Sequence, residues 1–301
     1  MKWTRALQLL ATLALVLGVL LAAGCGDDDD DDGGGGNGGE PAGEVRQFPA
    51  DTPLGKIQRN GEITIGVKYD VPPFGFLNPQ TDEVEGFDVD LGRFIAEELG
   101  VKPKFIEAIS DNRIPFLERG TVDLILSTMT INAERDTEID FSEPYYIAEG
   151  RILVPKGSDI KGLQDLNGKS VCTALGSTYE ETIRERAPDA DLRLVDTYSE
   201  CLELLQNEAI DAISTDDVIL TGMIIQDDSL QMVGDRLTVE PYGVGIKEGD
   251  KQMKRFVDQV LTQMEEDGRW EETYQKWVGR HLDRQEQPPE MTLQEALQIG
   301  A

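Results

Sequence analysis

Short apolar runs alternate with amphipathic stretches along most of the chain. Residues 63–67 form an apolar, β-branched run that is typical of a strand. A helical stripe of apolar residues follows, and Gly100 stands where that helix would end. The stripe consists of Leu91, Phe94, Ile95 and Leu99. The spacing of apolar residues thus changes from that of a strand, with a period of two residues, to that of a helix, with a period of about 3.6 residues. This change predicts a strand followed by a helix.

Further along the chain, a predicted helix is followed by a predicted strand at two places. Residues 114–119 predict a helix that ends at Gly120, and residues 201–208 predict a second one; each is followed by a short apolar strand. Both strands end in polar side chains. These are Ser127 and Thr128 after the first strand, and Thr215, Asp216 and Asp217 after the second. Because ligands of α/β sheets bind beyond the carboxyl ends of strands, we expect an α/β fold with two lobes facing one cleft.

Two similar segments, 145–152 and 241–246, are predicted to cross between the lobes. The second would return the chain to the first lobe, where residues 253–264 carry an apolar helical stripe that ends at Gly268. Aromatic residues follow at helical spacing and are predicted to belong to the core. They are Trp270, Tyr274 and Trp277.

The N-terminus carries a separate apolar run, residues 6–21, behind Lys2 and Arg5. It ends in small residues directly before Cys25, which are the parts of an export signal. A cysteine at this position resembles a bacterial lipobox, in which the thiol receives diacylglycerol. A signal anchor is the alternative, because the run is nearly long enough to span a bilayer. The polyaspartate at 27–32 favours a lipoprotein on the outer side of the cell membrane.

Composition changes mark the domain boundaries. An Asp/Gly-rich stretch without periodicity follows Cys25 and is predicted to be a disordered tether. The predicted parts are a signal peptide at 1–24, the lipidated cysteine and tether at 25–51, lobe 1 at 52–147 and 242–284, lobe 2 at 148–241, and a peripheral tail at 285–301.

The chain of 301 residues carries a formal net charge of −30. Such a field repels nucleic acid and anionic membrane surfaces, so we expect neither as a partner. An anionic ligand must therefore be held by local cations. If Cys25 is lipidated, Cys172 and Cys201 remain as a pair outside the cytoplasm, where disulfides persist. The sequence predicts a disulfide between them; two buried free thiols are the alternative.

Arg135 is the first candidate for ligand binding. Asn132 is a good helix N-cap and would place Arg135 in the first helical turn. A cation there opposes the helix dipole, which is explained if the guanidinium holds an anion together with free backbone N–H groups. A guanidinium fits a carboxylate with two parallel hydrogen bonds. The alternative is an ordinary surface arginine.

Ser177, Thr178 and Asp216 are further candidates. Ser177 with Glu180 matches a capping box, and Ser177 and Thr178 could also offer hydroxyl and N–H groups to a ligand. Asp216 stands at a strand end, where its carboxylate would suit an ammonium group; a turn residue is the alternative.

Other chemistry is not supported by the sequence. Residues 168–170 end like a P-loop, but the glycine spacing is wrong and a strand follows. His281 is the only histidine and has no motif around it, and no Cys/His metal spacing occurs. We therefore expect no metal, no cofactor and no enzymatic activity.

The motifs in the body of the chain resemble those of a known protein family. Residues 53–282 are similar to the solute-binding proteins of bacterial polar amino-acid ABC transporters, with the two-lobe, type II periplasmic-binding fold and two hinge strands. The segments that carry the resemblance are 86–91, 130–135, 139–142, 145–146, 166–169, 242–243 and 267–270.

The resemblance implies roles for residues around the cleft. Arg135 would grip the ligand α-carboxylate with Thr130 and the backbone at Thr128 and Thr178, while Asp216 would take the α-ammonium. Ser177 would lie at the helix N-terminus that meets the ligand. Side-chain selectivity would come from the pocket rim. This rim consists of Lys68, Tyr69, Phe74, Arg113 and Ser127.

Within the family, residues 66–70, 196–201 and 215–220 are most similar to glutamate-binding lipoproteins. Lys68 and Arg113 would be surplus cations in an acidic chain, which suits a second carboxylate. The stretch 72–76 is closer to the general family, so aspartate, glutamine and asparagine stay open. We predict a monomeric, lipid-anchored receptor that delivers a polar amino acid, foremost glutamate, to an ABC permease. The alternatives are a dehydratase-like enzyme on the same fold and a sensor ectodomain.

Overall fold

The computed structural model describes residues 45–282 and 286–299. The predicted signal peptide, Cys25 and most of the predicted tether lie outside the described residues.

Fourteen strands and nine α-helices are present in the described residues. The strands are β1 (Glu62–Val67), β2 (Asp70–Val71), β3 (Gly75–Asn78), β4 (Glu83–Glu85), β5 (Lys102–Glu107), β6 (Leu124–Ile125), β7 (Ile139–Phe141), β8 (Tyr146–Pro155), β9 (Ser170–Ala174), β10 (Asp191–Val195), β11 (Ala212–Asp216), β12 (Leu230–Val233), β13 (Val239–Tyr242) and β14 (Gly245–Lys247). The helices are α1 (Pro53–Asn60), α2 (Phe87–Leu99), α3 (Arg113–Arg119), α4 (Thr178–Arg186), α5 (Tyr198–Gln206), α6 (Asp217–Gln226), α7 (Lys251–Glu266), α8 (Arg269–Tyr274) and α9 (Leu293–Ile299).

The predicted helices form where apolar spacing and glycine caps agree. In α2, Leu91, Ile95 and Leu99 are fully buried, and the helix ends at Gly100 with a φ of 72°. Such a left-handed C-cap satisfies free carbonyls and suits glycine, which has no Cβ. The helix predicted from residue 201 begins three residues earlier, at Tyr198, because the Thr197 hydroxyl caps it by accepting from the Glu200 N–H.

The first lobe is built on a five-stranded sheet with the order β5-β1-β6-β14-β7. Strand β1 lies parallel to β5 and β6, while β14 returns from the second lobe and lies antiparallel to β6 and β7. A small antiparallel sheet of β2, β3 and β4 belongs to the same lobe. The carboxyl ends of β1, β5 and β6 therefore meet at one edge.

The second lobe is built on a sheet with the order β10-β9-β11-β8-β12. Strand β9 lies parallel to β10 and β11, and β8 lies antiparallel to β11 and β12. Cys172 in β9 and Cys201 in α5 form a disulfide that closes a separation of 29 residues. The predicted disulfide is confirmed, and the alternative of two free thiols is wrong. In the chain-entropy model this cross-link contributes about 3–4 kcal/mol to stability.

Two antiparallel strands join the lobes. Residues 146–149 of β8 pair with β13, with Tyr146 opposite Tyr242. Residues 150–153 of the same strand then pair with β11 inside the second lobe. The predicted two-lobe α/β fold with two connecting strands is thus confirmed.

An aromatic cluster packs beneath the connecting strands. Phe74 is fully buried there, with its ring centroid 5.0 Å from that of Tyr146 and 5.7 Å from that of Tyr242. Trp270 stacks on Tyr274 and donates from Nε1 to the Tyr145 carbonyl at 2.8 Å. The C-terminal aromatic residues are therefore part of the core, as predicted.

Both ends of the described chain are attached to the first lobe. Phe48 was predicted to lie in the tether, yet its ring packs edge-on against Phe256 at 5.6 Å. In the tail, Ala296 of α9 is fully buried, and the Leu293 N–H donates to the Glu143 carboxylate at 2.6 Å. Apolar positions at helical spacing explain this docking, which the prediction of a peripheral tail missed. Within the described ranges, no helix combines the length and apolar character needed to span a bilayer.

Candidate functional site

A narrow cavity lies between the two lobes, at the carboxyl ends of the strands. It opens toward a wider groove of about 590 Å³. Both lobes supply its lining. The lining residues are Ser110, Arg113, Thr128, Thr130, Arg135, Ser177, Thr178, Tyr179, Tyr198 and Asp216. Strand ends of both sheets therefore converge on one cleft, as the polar residues after the strands predict.

Arg135 bridges the two lobes. It is buried, and its guanidinium donates to the carbonyl of Thr130 at 2.7 Å and, across the cleft, to that of Gly176 at 3.0 Å. The Arg135 N–H donates to the Asn132 side chain at 2.9 Å, although the N-cap of the turn that forms is Glu134. The predicted α-helix is wrong, however. Only a 3-10 turn, Arg135–Thr137, forms, because strand β7 begins at the buried Ile139.

Arg113 lies beside Arg135 and is 2% exposed. Its guanidinium donates to the carbonyls of Ser127 at 3.0 Å, Thr128 at 3.1 Å and Gly176 at 3.3 Å. Burial and the neighbouring Arg135 lower the pKa of Arg113 to about 9. Two guanidinium groups thus converge on one carbonyl of the opposite lobe.

Lys68 is a third buried cation, 2% exposed, which lies directly behind the cavity lining rather than in it. Its Nζ donates to the Ser110 hydroxyl at 2.8 Å and lies 5.6 Å from the centroid of the Tyr198 ring. Burial and the charge of Arg113 lower the pKa of Lys68 to about 7. The first cause is the loss of hydration, which disfavours the charged ammonium.

Asp216 stands at the end of β11 and faces these cations from the second lobe. Its carboxylate accepts from the Tyr179 hydroxyl at 2.7 Å. Burial raises the pKa of Asp216 to about 8, with a further contribution from the charge of Glu240. Glu240 itself lies in β13 and accepts from the Thr178 hydroxyl at 3.0 Å. A ligand ammonium would favour the ionised form of Asp216.

Ser177 and Thr178 place the N-terminus of α4 at the cavity. The predicted capping box does not form, since the Ser177 side chain makes no cap bond. Its hydroxyl instead lies 3.1 Å from that of Thr173, and Glu180 pairs with Arg184 on the surface. The free N–H groups at a helix N-terminus favour an anion.

Asp88 supports the site from beneath and was not predicted. Its fully buried carboxylate accepts from the Thr128 N–H and from the Tyr145 hydroxyl, both at 2.8 Å. Thr128 adopts a φ of 43°, which L-residues rarely adopt. Asp88 therefore holds Thr128 in the conformation that presents its carbonyl to Arg113. Burial raises the pKa of Asp88 to about 7.

The residues of the predicted rim lie in different surroundings. Arg113 lines the cavity and Lys68 lies directly behind it, whereas Phe74 belongs to the aromatic core because its ring packs against Tyr146 and Tyr242. Tyr69 points away from the cavity and donates to the Phe105 carbonyl at 3.1 Å. Ser127 acts through its backbone carbonyl, while its hydroxyl donates to the Ala108 carbonyl.

Ser110, Tyr179 and Tyr198 line the cavity but were missed. Ser110 follows β5, and this polar strand end was the signal that could have identified it. Tyr179 is the second residue of α4, which follows the N-cap residue Ser177. Tyr198 is the first residue of α5 and directly follows the N-cap residue Thr197.

The sites rejected from the sequence have structural explanations. Gly168 forms a left-handed turn with a φ of 77°, and β9 begins at Ser170, so this segment is a turn before a strand. His281 is exposed. No group of three or more metal-ligating side chains converges within residues 45–282 and 286–299.

Comparison with known proteins shows that the chain is similar to several bacterial binding proteins. The chain matches the bacterial extracellular solute-binding proteins, family 3, over residues 63–280. The ABC transporter glutamine-binding protein GlnH of Bacillus subtilis (strain 168) is 38% identical over 273 residues, which cover 89% of this chain and 96% of the relative. The glutamate-binding protein GluB of Corynebacterium glutamicum is 33% identical over 238 residues, covering 74% of this chain and 79% of the relative.

A solved structure shares the fold. An ancestral arginine-binding protein bound to glutamine matches with a TM-score of 0.70 and 36% identity, covering 73% of this chain and 98% of that one. These relatives are binding proteins, which agrees with the prediction of a receptor rather than an enzyme. The chain therefore belongs to the bacterial extracellular solute-binding proteins, family 3.

Proposed function

We propose that the protein is the lipid-anchored receptor of an ABC importer and that it binds glutamate between its lobes. One observation carries the choice of ligand. Arg113 and Arg135 line the cavity and Lys68 lies directly behind it, against Ser110. All three are buried, and none takes part in an ion pair among the described residues. Buried charges are costly unless they are paired. An amino acid with two carboxylates would supply the missing partners.

Arg135 and Asp216 hold the part of the ligand that all amino acids share. The Arg135 guanidinium takes the α-carboxylate, helped by Thr130 and by the backbone at Thr178. Asp216 takes the α-ammonium. Support comes from their positions on opposite lobes of one cavity, so that a ligand bound to both also favours the closed lobes.

Lys68 and Arg113 hold the second carboxylate. Both converge on Ser110: the Lys68 Nζ lies 2.8 Å from its hydroxyl, and the Arg113 Nε lies 3.1 Å from its carbonyl. Two cations anchored on one residue form a compact, positively charged subsite that can bind an anion. Tyr198 closes this subsite from the second lobe.

Glutamine is the competing ligand, because the Bacillus relative is named for it and the ancestral structure was bound to it. The lysine ammonium favours glutamate. It has three donors and no acceptor, so it can satisfy a carboxylate but leaves an amide N–H₂ group without a partner.

A thermal-shift panel of the twenty amino acids tests the proposal. Glutamate must give the largest stabilisation, and no stabilisation by any acidic or amide amino acid would refute it.

The affinity for glutamate is expected to be highest between pH 7 and 8. Binding needs a charged Lys68, whose pKa is about 7 in the empty cleft, so affinity falls as the pH rises above 7. It also needs an ionised Asp216, whose pKa is about 8, so affinity falls as the pH drops below 8. The two requirements together predict an affinity roughly sixfold lower at pH 6 and at pH 9 than near pH 7.5. Calorimetric titrations across this range measure it.

The Lys68→Met variant is the control for the pH profile. It should lose the decline above pH 7 and keep the decline on the acidic side. A profile in wild type that is flat from pH 6 to 9 would contradict the assigned roles of Lys68 and Asp216.

The lipid anchor is expected to determine location without affecting the ligand site. Replacing residues 1–25 with a cleavable export signal that lacks a cysteine should release the protein from the membrane fraction into the medium, because acyl chains supply the membrane affinity. Glutamate affinity should change less than about twofold, since the lobes are the same. Fractionation and the mass of the mature N-terminus measure both effects. A wild-type mass that still includes residues 1–24 would show that the N-terminal run is a signal anchor.

A further inference from the structure

A short segment of the first lobe, which we call the 70–73 segment, lies against two helices of the second lobe. The Asp70 carboxylate accepts from the N–H groups of Tyr198 at 2.7 Å and Ser199 at 3.2 Å. These are the first two residues of α5, whose N–H groups have no partner within the helix. A carboxylate at this position also interacts favourably with the helix dipole. The first lobe thus supplies part of the cap of a helix in the second.

The capped helix belongs firmly to the second lobe. Thr197 caps the Glu200 N–H, and Cys201, one turn into α5, is bonded to Cys172 of β9. Since α5 is fixed to its own sheet, the Asp70 hydrogen bonds join two rigid bodies. They can form only when the lobes are closed.

The same contact reaches the ligand cavity. The residue whose N–H binds Asp70 is Tyr198, and its ring lines the cavity 5.6 Å from the Lys68 ammonium. Lys68 lies two residues before Asp70 on the same segment of chain. Asp70 therefore connects the backbone of Tyr198 to the chain segment that carries Lys68.

A second contact of the 70–73 segment depends on the lack of a side chain. A Cβ at Gly222, in α6, would lie 1.8 Å from the Pro72 carbonyl oxygen. Glycine inside a helix costs about 1 kcal/mol relative to alanine, so its presence here calls for a packing reason. The close approach of the first lobe supplies that reason.

We infer that Asp70 and Gly222 form a closure latch, in which neither residue touches the ligand but both hold the lobes closed over it. This inference rests on the proposed binding of an amino acid in the cleft. Asp70 supplies attraction at the N-terminus of α5, and Gly222 permits contact at α6. They are positioning residues, so their removal should affect the lifetime of the complex more than the encounter with the ligand.

The first test is Asp70→Asn, which keeps the size of the side chain and removes its charge. Glutamate should bind about tenfold more weakly, and the change should appear in the dissociation rate while the association rate changes less than about twofold. The melting temperature without ligand should stay within about 1 °C of wild type. Asp82→Asn, at an exposed turn of the same small sheet, is the matched control and should behave as wild type. Calorimetry and stopped-flow fluorescence measure these quantities.

The second test is Gly222→Ala. Glutamate should bind at least about a hundredfold more weakly, because the methyl group prevents full closure, while the ligand-free protein should melt no lower than wild type, because alanine favours the helix. Small-angle scattering with saturating glutamate should show a larger radius of gyration than in wild type.

Different results would refute the proposed function and the proposed latch. Wild type that binds neither glutamate nor glutamine would refute the proposed function. Wild type that binds, with unchanged affinity and dissociation rate in both variants, would overturn the latch.

Discussion

Arg135→Ala should abolish measurable binding of every amino acid, with a Kd at least about a thousandfold higher than that of wild type. The guanidinium is the proposed partner of the α-carboxylate, which all amino acids carry. Truncating one partner of a buried, hydrogen-bonded charge pair costs about 2–5 kcal/mol, and 4.1 kcal/mol corresponds to a thousandfold. The variant also loses the hydrogen bond that Arg135 makes across the cleft to Gly176.

Calorimetric titration with glutamate and glutamine measures the effect. Arg135→Lys keeps the charge but not the two-pronged donor, so its affinity should fall between those of wild type and Arg135→Ala. Arg119→Ala, at the exposed end of α3, is the matched control and should bind as wild type does. If Arg135→Ala keeps an affinity within about threefold of wild type, the assignment of the α-carboxylate is wrong.

Lys68→Met should change which amino acid binds. Affinity for glutamate should fall about a hundredfold, because the second carboxylate loses its ammonium partner in a buried subsite. Affinity for glutamine should change less than about fivefold, because its amide is neutral and methionine roughly fills the volume of the lysine stem. Competition titrations with the two amino acids give the ratio directly.

Lys104→Met is the control for this variant. Lys104 lies on β5 of the same lobe, with its side chain 56% exposed, and should not affect either affinity. An equal loss of both affinities in Lys68→Met would mean that Lys68 stabilises the cleft rather than selecting the ligand. Arg113 would then be the remaining candidate for the second carboxylate.

Much of the fold was predictable because the signals are local. The stripe of α2 and its end at Gly100 follow from apolar spacing and from the need for a left-handed cap. Asp216 was found in the same way, since it directly follows an apolar strand and the edge of a sheet is where ligands bind. The disulfide followed from an even pair of cysteines outside the cytoplasm.

The errors arose where distant packing overrides local pattern. Asn132 and Arg135 have the spacing of a helix start, but the burial of Ile139 begins a strand after a single turn. Phe74 stands close in sequence to Lys68 and was assigned to the rim. Its ring is instead taken into the core by Tyr146 and Tyr242, which come from the connecting strands.

The contacts around the proposed second-carboxylate subsite could not be predicted from the sequence. Lys68 and Ser110 are 42 residues apart, and Asp70 and Tyr198 are separated by 128. Lys68 and Ser110 meet because the parallel strands β1 and β5 end side by side in the first lobe, whereas Asp70 and Tyr198 meet only because the two lobes face one another. The residue types suggested an anion, whereas the partners that orient the cations needed the tertiary structure.

The cleft contrasts with the rest of the chain. The sequence carries a net charge of −30, yet three buried cations converge between the lobes. The overall field would slow the approach of the proposed anionic ligand, and the buried cations would retain it once the lobes close. We therefore expect glutamate affinity to depend on dissociation more than on association.

A calorimetric titration of the wild-type protein with glutamate and with glutamine, side by side at pH 7.5, tests the central claim most directly. Three buried cations facing Asp216 predict that glutamate binds at least about tenfold more tightly than glutamine, a difference of about 1.4 kcal/mol. Equal or tighter binding of glutamine would contradict the assignment of Lys68 and Arg113 to a second carboxylate.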